Sequence, residues 1–283
     1  MDISAQAVKE LREKTGAGLM ECKKALKESS GDSDKAIKLL KEKGTIKAAG
    51  KSGRATKEGI ICVAIADDMS QGVLVEINCE TDFVSRNNDF ISACQDITEH
   101  VLKTEAQSTS DLPQTIQDEV KGLIIRLGEN MGIGQMGRMK NTSTGYLSSY
   151  IHQGGKIAVL LQTESAKKET HSDPGFLSLT KDISMHIAAM NPTGLSKDDI
   201  DSKILKEQKE IFTTQAKDSG KPDNIIEKMV TGKLNQFLKE IVLLEQPFVK
   251  DPKLSIQKYT DAESKKLNDS IEIKQFIRFK VGD

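Results

Sequence analysis

The chain has 283 residues, enough to bury a real core and to hold two or three domains. Its 41 Lys+Arg against 42 Asp+Glu leave a net charge of −1, which excludes a global field steering it toward nucleic acid. A 4% aromatic share without Trp leaves few platforms for base stacking.

From Met1 to Lys14 the chain is charged from the start and lacks the apolar segment of a signal peptide. No later run approaches the roughly 18 apolar residues that span a bilayer. Cys22, Cys62, Cys79 and Cys94 lie far apart without a CxxC pair, which points to reduced thiols in a cytoplasmic protein. Residues 1–54 read as a three-helix domain with a basic linker. Ser4 caps a helix carrying Val8 and Leu11 that ends near Thr15-Gly16. A second helix runs from about Leu19 to Glu28 with Cys22, Ala25 and Leu26 inward. A third follows the Gly31–Asp34 turn, with Ala36, Ile37 and Leu40 buried and Gly44 as its stop. Lys47 to Lys57 then reads as the linker.

Residues 55–140 and 141–283 read as two core subdomains, because an internal repeat relates them. Gly59 opens the strand IICVAI and Gly145 opens YLSSYI, an offset of 145 − 59 = 86. VLVEI at 73–77 meets VLLQT at 159–163 with the same offset. Phe90, Asp96, Ile97, His100 and Val101 likewise match Phe176, Asp182, Ile183, His186 and Ile187. The expectation is therefore an α+β fold with two copies of a strand-strand-helix unit, each an antiparallel hairpin backed by a helix. Gln114 to Glu129 adds a helix that closes copy one, with Ile116, Val120, Leu123, Ile124 and Leu127 inward. Residues 197–239 add an inserted antiparallel helical hairpin. Ile200, Ile204 and Ile211 mark one seam of it, and Ile226, Val230, Phe237 and Ile241 mark the other. Ser219-Gly220-Lys221-Pro222 joins the two helices, and an alternating strand from Phe276 to Val281 closes the chain.

Three features compete as carriers of function. Gly132–Gly137 matches GxGxxG but follows a helix and has no acidic residue near the ribose position, so it reads as a flexible loop. The four histidines form neither a metal cluster nor a triad. His100 and His186 share one place in the two copies and read as packing or hydrogen-bonding residues, and His171 sits in a polar loop. His152, at the hairpin tip of copy two, is either an exposed turn residue or a contact. The third feature is the tip Thr81-Asp82-Phe83-Val84, which ends an apolar strand with a phenylalanine that turn geometry does not require. Its copy-two counterpart is Lys167-Lys168-Glu169-Thr170, so the scaffold builds that turn without the ring. Phe83 is thus expected to be an exposed wedge for a partner's pocket, with packing inside copy one as the alternative.

Two long stretches resemble the signatures of bacterial elongation factor Ts: Leu11 to Leu26, LREKTGAGLMECKKAL, and Glu76 to Arg86, EINCETDFVSR. The resemblance continues through Ile46 to Ala49, Gly128-Glu129-Asn130, Gly220-Lys221-Pro222, Gln246 to Val249 and Phe276 to Phe279. It implies a guanine-nucleotide exchange factor for the GTPase elongation factor Tu, with no cofactor, no bound metal and no bond chemistry of its own. It further implies that the first three helices form a ubiquitin-associated-like domain, whose Arg12, Leu19, Met20 and Lys23 touch the GTPase's nucleotide domain. Thr81, Asp82, Phe83 and Val84 match the insertion motif that disturbs the Mg²⁺ site. Leu127 and Gly128 match further contacts there, and His152 with the second copy would hold another domain. The hairpin would be the coiled-coil arm that mediates dimerisation in some members. Many members continue past the closing strand into a short partner-gripping helix, and that contact is expected to be absent here. No direct nucleic-acid or membrane contact is implied. An RNA-binding or ribosome-associated adaptor, motivated by the basic linker, and a dinucleotide-dependent oxidoreductase using 132–137 remain as alternatives.

Overall fold

The computed structural model describes residues 3–51, 53–218 and 222–283. It opens with helices α1 (Ala5–Thr15), α2 (Leu19–Glu28) and α3 (Ser33–Ala49). They close over a small core of Val8, Leu11, Cys22, Ala25, Leu26, Ala36 and Leu40. Ser4 Oγ caps α1 by accepting from Ala7 N–H, and Gly16 ends it at φ 65°. Gly44 does not stop α3, which runs on to Ala49. An interior glycine costs about 1 kcal/mol against alanine, and α3 offsets that by packing on both α2 and the later helix that closes copy one. Residues 47–49 of the expected linker are therefore helical, and Lys51 and Arg54 beyond them are tied to copy one. Lys51 Nζ donates to the Gly128 carbonyl, Arg54 pairs with Glu80 at 3.5 Å, and Asn130 Nδ2 donates to the Arg54 carbonyl at 2.8 Å.

Copy one contains β1 (Glu58–Ile65), β2 (Gln71–Cys79), the single turn α4 (Asp82–Ser85), α5 (Asn88–Leu102), α6 (Gln114–Leu127) and β3 (Met131–Lys140). Copy two contains β4 (Gly145–His152), β5 (Ile157–Ser165) and α7 (Pro174–Met190). It then inserts α8 (Ser202–Lys217), α9 (Asp223–Ile241), β6 (Pro247–Phe248) and β7 (Asp251–Ser255), and ends with α10 (Ile256–Lys266) and β8 (Ile271–Lys280). The sheets are antiparallel with orders β1-β2-β3 and β4-β5-β8. Each copy is thus strand-strand-helix-helix-strand, one helix and one strand more than the expected unit. Cys79 pairs with Met131, and Ser165 pairs with Ile271. The third strands are related by 271 − 131 = 140, so 140 − 86 = 54 residues are inserted between the two helices of copy two.

Both sheets are buried on two faces. Val73, Val75 and Ile77 point into a core under α5 and α6, while Val159, Leu161 and Phe176 build its counterpart under α7. Leu74 and Leu160, 86 residues apart, meet with Ile61, Val63, Met139, Leu147 and Ala158 in a layer between the sheets. Two-sided burial explains why these strands read as nearly continuous apolar runs. The copies share finer devices too. Arg138 on β3 donates to the carbonyls of Val101 and Leu102 at the end of α5, and Arg278 on β8 donates to Ala188 near the end of α7. Each guanidinium supplies the positive charge and donors that a helix C-terminus lacks.

Two further expectations change. Gly132–Gly137 is not a loop but part of β3, in register with β2 through Asn78↔Gly132 and Leu74↔Gly137. Its glycines answer to packing: a Cβ on Gly137 would sit 3.0 Å from the Ile277 side chain, and one on Gly134 would sit 3.1 Å from Glu76 Cδ. The hairpin seam also shifts by one residue. Ile204 and Ile211 are exposed. Leu205 instead packs with Ile200, Leu238, Ile241 and Val242 at the base, and Phe212 and Ala216 meet Ile226 and Val230 toward the far end. Residues 219–221 of the joint lie outside the described residues. No helix among the described residues is long and apolar enough to cross a membrane.

Candidate functional site

The tip is a capped helical turn. Thr81 Oγ1 accepts from Val84 N–H at 3.4 Å and opens α4, Arg86 closes it, and Asn87 Oδ1 caps α5 through Asp89 N–H at 2.8 Å. Successive side chains on such a turn are about 100° apart. Val84 packs on the copy-one core and Ser85 is buried, so the phase sends Phe83 outward. Phe83 is 84% exposed, which overturns its packing inside copy one. Asp82 sits beside it, half-buried and paired with Arg86 at 3.2 Å.

What holds the turn comes from the far end of α6. Gly128 leaves that helix at φ 81° and hands the chain to Glu129. Glu129 Oε2 accepts from the N–H groups of Glu80 and Thr81 at 3.1 and 3.0 Å, and Oε1 accepts from the Thr81 hydroxyl at 2.6 Å. Glu80 in turn accepts from Asn130 N–H at 2.6 Å. Copy two repeats the brace: Asp269 accepts from the N–H groups of Ala166 and Lys167 and from the Thr170 hydroxyl. Cys79 Sγ and Ser165 Oγ, one repeat apart, donate to the carbonyls of Thr81 and Lys167. The corresponding turn in copy two presents exposed Glu169 where copy one presents Phe83.

The first three helices reach the same edge. Arg12, Leu19, Met20 and Lys23 are all exposed, Leu19 by 54% and Met20 by 73%. Two large apolar side chains at the start of α2 thus face outward rather than into the bundle's core. The turn before them rests on α6, where a Cβ on Gly16 would lie 2.8 Å from Arg126 Cδ. Arg126 Nη2 donates to the Asp89 carbonyl at 3.2 Å, just after the tip. Leu127 is half-buried against the copy-one core and Gly128 is exposed. His152 ends β4 half-buried, its Nδ1 3.0 Å from the Tyr150 hydroxyl, so it is not the fully exposed turn residue offered as one reading.

The tip, residues 126–130 and the α1–α2 turn therefore share one edge. Arg126 and the bracing roles of Glu80, Glu129 and Asn130 carry no signal in the spacing, because their partners are about 37 to 50 residues away in sequence. All four cysteines are buried, and burial pushes Cys62 up to about 11, Cys79 up to about 12 and Cys94 higher still. His186 is fully buried, accepting from Val249 N–H through Nδ1 and meeting Gln246 Oε1 at 2.9 Å through Nε2. His100, its copy-one counterpart, lies exposed against Glu119 at 2.9 Å. Among the described residues, no group of three or more His, Cys, Asp or Glu could hold a metal ion.

Fold and site define a two-copy α+β scaffold that carries an exposed phenylalanine on a braced turn, with two further exposed apolar side chains at the start of α2 along the same edge. Comparison with known proteins narrows this. The family model described as Elongation factor TS matches residues 80–283. The chain is 42% identical to an Elongation factor Ts of Nitratidesulfovibrio vulgaris over 284 residues, covering 100% of this chain and 97% of that one. It is 43% identical to one of Clostridium kluyveri over 290 residues, covering 99% and 93%. The chain belongs to the elongation factor Ts family.

Proposed function

We propose that this protein promotes release of GDP from elongation factor Tu, and its replacement by GTP, by docking along this edge and inserting Phe83 near the GTPase's Mg²⁺ and nucleotide site. Family membership supports the partner and the activity. The observation that carries the mechanism is a phenylalanine 84% exposed on a turn that a carboxylate braces with three hydrogen bonds. Arg12, Leu19, Met20 and Lys23 would dock the nucleotide domain, with Thr81, Asp82, Val84, Leu127 and Gly128 around the wedge and His152 with copy two on another domain. On this reading residues 1–54 act as the ubiquitin-associated-like domain, 55–140 carries the wedge, and 141–283 carries the second grip. The α8–α9 hairpin is the arm for a dimer contact, and the protein works in the cytoplasm.

The energetics are those of linkage. Nanomolar GDP binding is worth about 12 kcal/mol. A factor that binds the open GTPase better than the closed one weakens the nucleotide by the amount the nucleotide weakens the factor. Burying one Phe supplies roughly 1.5–3 kcal/mol, which at about 1.4 kcal/mol per decade is about ten- to one-hundredfold in rate. Larger accelerations need the other contacts to hold the wedge in place. Loss of a Mg²⁺ contact would also remove a clamp on the nucleotide's phosphates. Against the oxidoreductase alternative stands the GxGxxG match being a packed strand, and in the basic linker Lys51 and Arg54 are engaged within the protein. The test is GDP release from elongation factor Tu with wild type and Phe83→Ala. The substitution should cost about ten- to one-hundredfold, and equal stimulation would refute the wedge.

A further inference from the structure

One cation crosses from copy two to the tip of copy one. Lys156 follows the Gln153–Gly155 turn, and its N–H donates back to the His152 carbonyl at 3.1 Å. Gly155, at φ 93°, lets that turn lie against β1, since a Cβ there would sit 3.0 Å from Ile60 Cβ. The Lys156 side chain then runs inward with 30% of its surface exposed. Nζ donates to Glu58 Oε2 at 2.5 Å, to the Gly59 carbonyl at 2.9 Å and to Ser85 Oγ at 3.5 Å. Ser85 is the last residue of α4 and donates to the Asp82 carbonyl at 3.1 Å. The ammonium group therefore bridges the start of β1 and the end of the turn that carries Phe83, from the same loop as His152.

This contact runs one way. The copy-one residue at the place of Lys156 is 156 − 86 = 70, Ser70, whose side chain is too short to reach across. The Glu129 brace has a copy-two equivalent and is part of the common scaffold, whereas the Lys156 contact is specific to the tip that bears the aromatic. A point charge with three donors suits a junction of a carboxylate, a carbonyl and a hydroxyl.

We propose that Lys156 is a positioning residue for Phe83, coupling the grip of copy two to the angle at which the wedge enters. The proposal rests on the insertion reading above, and its test separates the two. GDP release from elongation factor Tu is followed against factor concentration for wild type, Lys156→Met, Lys156→Arg, Phe83→Ala and the double variant Phe83→Ala/Lys156→Met. Lys156→Met should lower the saturating rate about three- to tenfold while moving the half-saturating concentration less than about twofold, and Lys156→Arg should restore at least about half the rate. In the Phe83→Ala background, Lys156→Met should have no further effect, because coupled residues are non-additive. If Lys156→Met folds poorly, Glu58→Gln releases the other end of the ion pair and should show the same pattern at smaller size. An unchanged saturating rate, or losses that multiply in the double variant, overturns the role of Lys156 alone. An unchanged rate in Phe83→Ala overturns the insertion reading itself.

Discussion

Thr81–Ser85 and Lys167–His171 occupy the same corner of two copies of one fold. Each follows the middle strand of a three-stranded sheet, each is held by a carboxylate from the segment before the third strand, and each precedes a helix capped by Asn87 or Asp173. Inward positions are filled alike, by Val84 in one and the buried Thr170 in the other. Thr81 and Asp82 correspond to Lys167 and Lys168, all polar, whereas the outward position sets the aromatic Phe83 against the charged Glu169. A scaffold that builds the corner with glutamate has no folding need for an exposed phenylalanine. The repeat thus serves as an internal control, separating what the fold requires from what a partner would require.

That separation makes graded predictions. The largest should fall equally on both copies, because Leu74 and Leu160 fill the same layer between the sheets. Leu74→Ala and Leu160→Ala should each cost about 2–5 kcal/mol in urea unfolding, and a large effect from only one of them would break the equivalence. Next come the braces. Glu129→Ala and Asp269→Ala should each cost about 1.5–3 kcal/mol by loss of hydrogen bonds to a charged acceptor, read in the same unfolding experiment. Their functional effects should diverge, with GDP release slowed by Glu129→Ala and left near wild type by Asp269→Ala. Partial burial pushes the Asp269 carboxyl up, but hydrogen bonds from Thr170 and from the N–H groups of Ser270, Lys167 and Ala166 outweigh it and hold the group below its ordinary 3.8. Its contribution to stability is therefore present above that pH and is lost as the pH falls below it.

The smallest effect falls on the buried histidine of copy two. Burial lowers His186 from its ordinary 6.5, with the Gln246 hydrogen bond opposing. The unfolded chain takes up that proton first, so the stability is whole above 6.5 and declines as the pH falls below it. Thermal unfolding between about pH 7.5 and 5.5 should show a downward slope that His186→Gln reduces, and an unchanged slope in that variant would contradict the assignment.

The unbroken part of the repeat was legible in the sequence, because β1, β2 and α5 recur at one offset as β4, β5 and α7. The closing strand was legible in part, as the alternation from Phe276 that falls within β8, but β3, its match to β8 and the braces were not, because the inserted 54 residues change the offset to 140 before Asp269 and β8 are reached. Glycines at 132–137 looked like a loop because packing against a second sheet leaves no local trace. On α8, Ile204 and Ile211 lie outward and the seam falls on Leu205, Phe212 and Ala216, since amphipathic periodicity gives a face only to within about one residue. Phe83 was legible because the scaffold's own second copy does without it.

The central claim is that one corner of a duplicated fold carries the wedge and the other does not. Measuring saturating GDP release from elongation factor Tu for Phe83→Ala and Glu169→Ala side by side tests it most directly. The first should lose about ten- to one-hundredfold and the second should stay within about twofold of wild type. Equal losses, or a Phe83→Ala variant as fast as wild type, would contradict it.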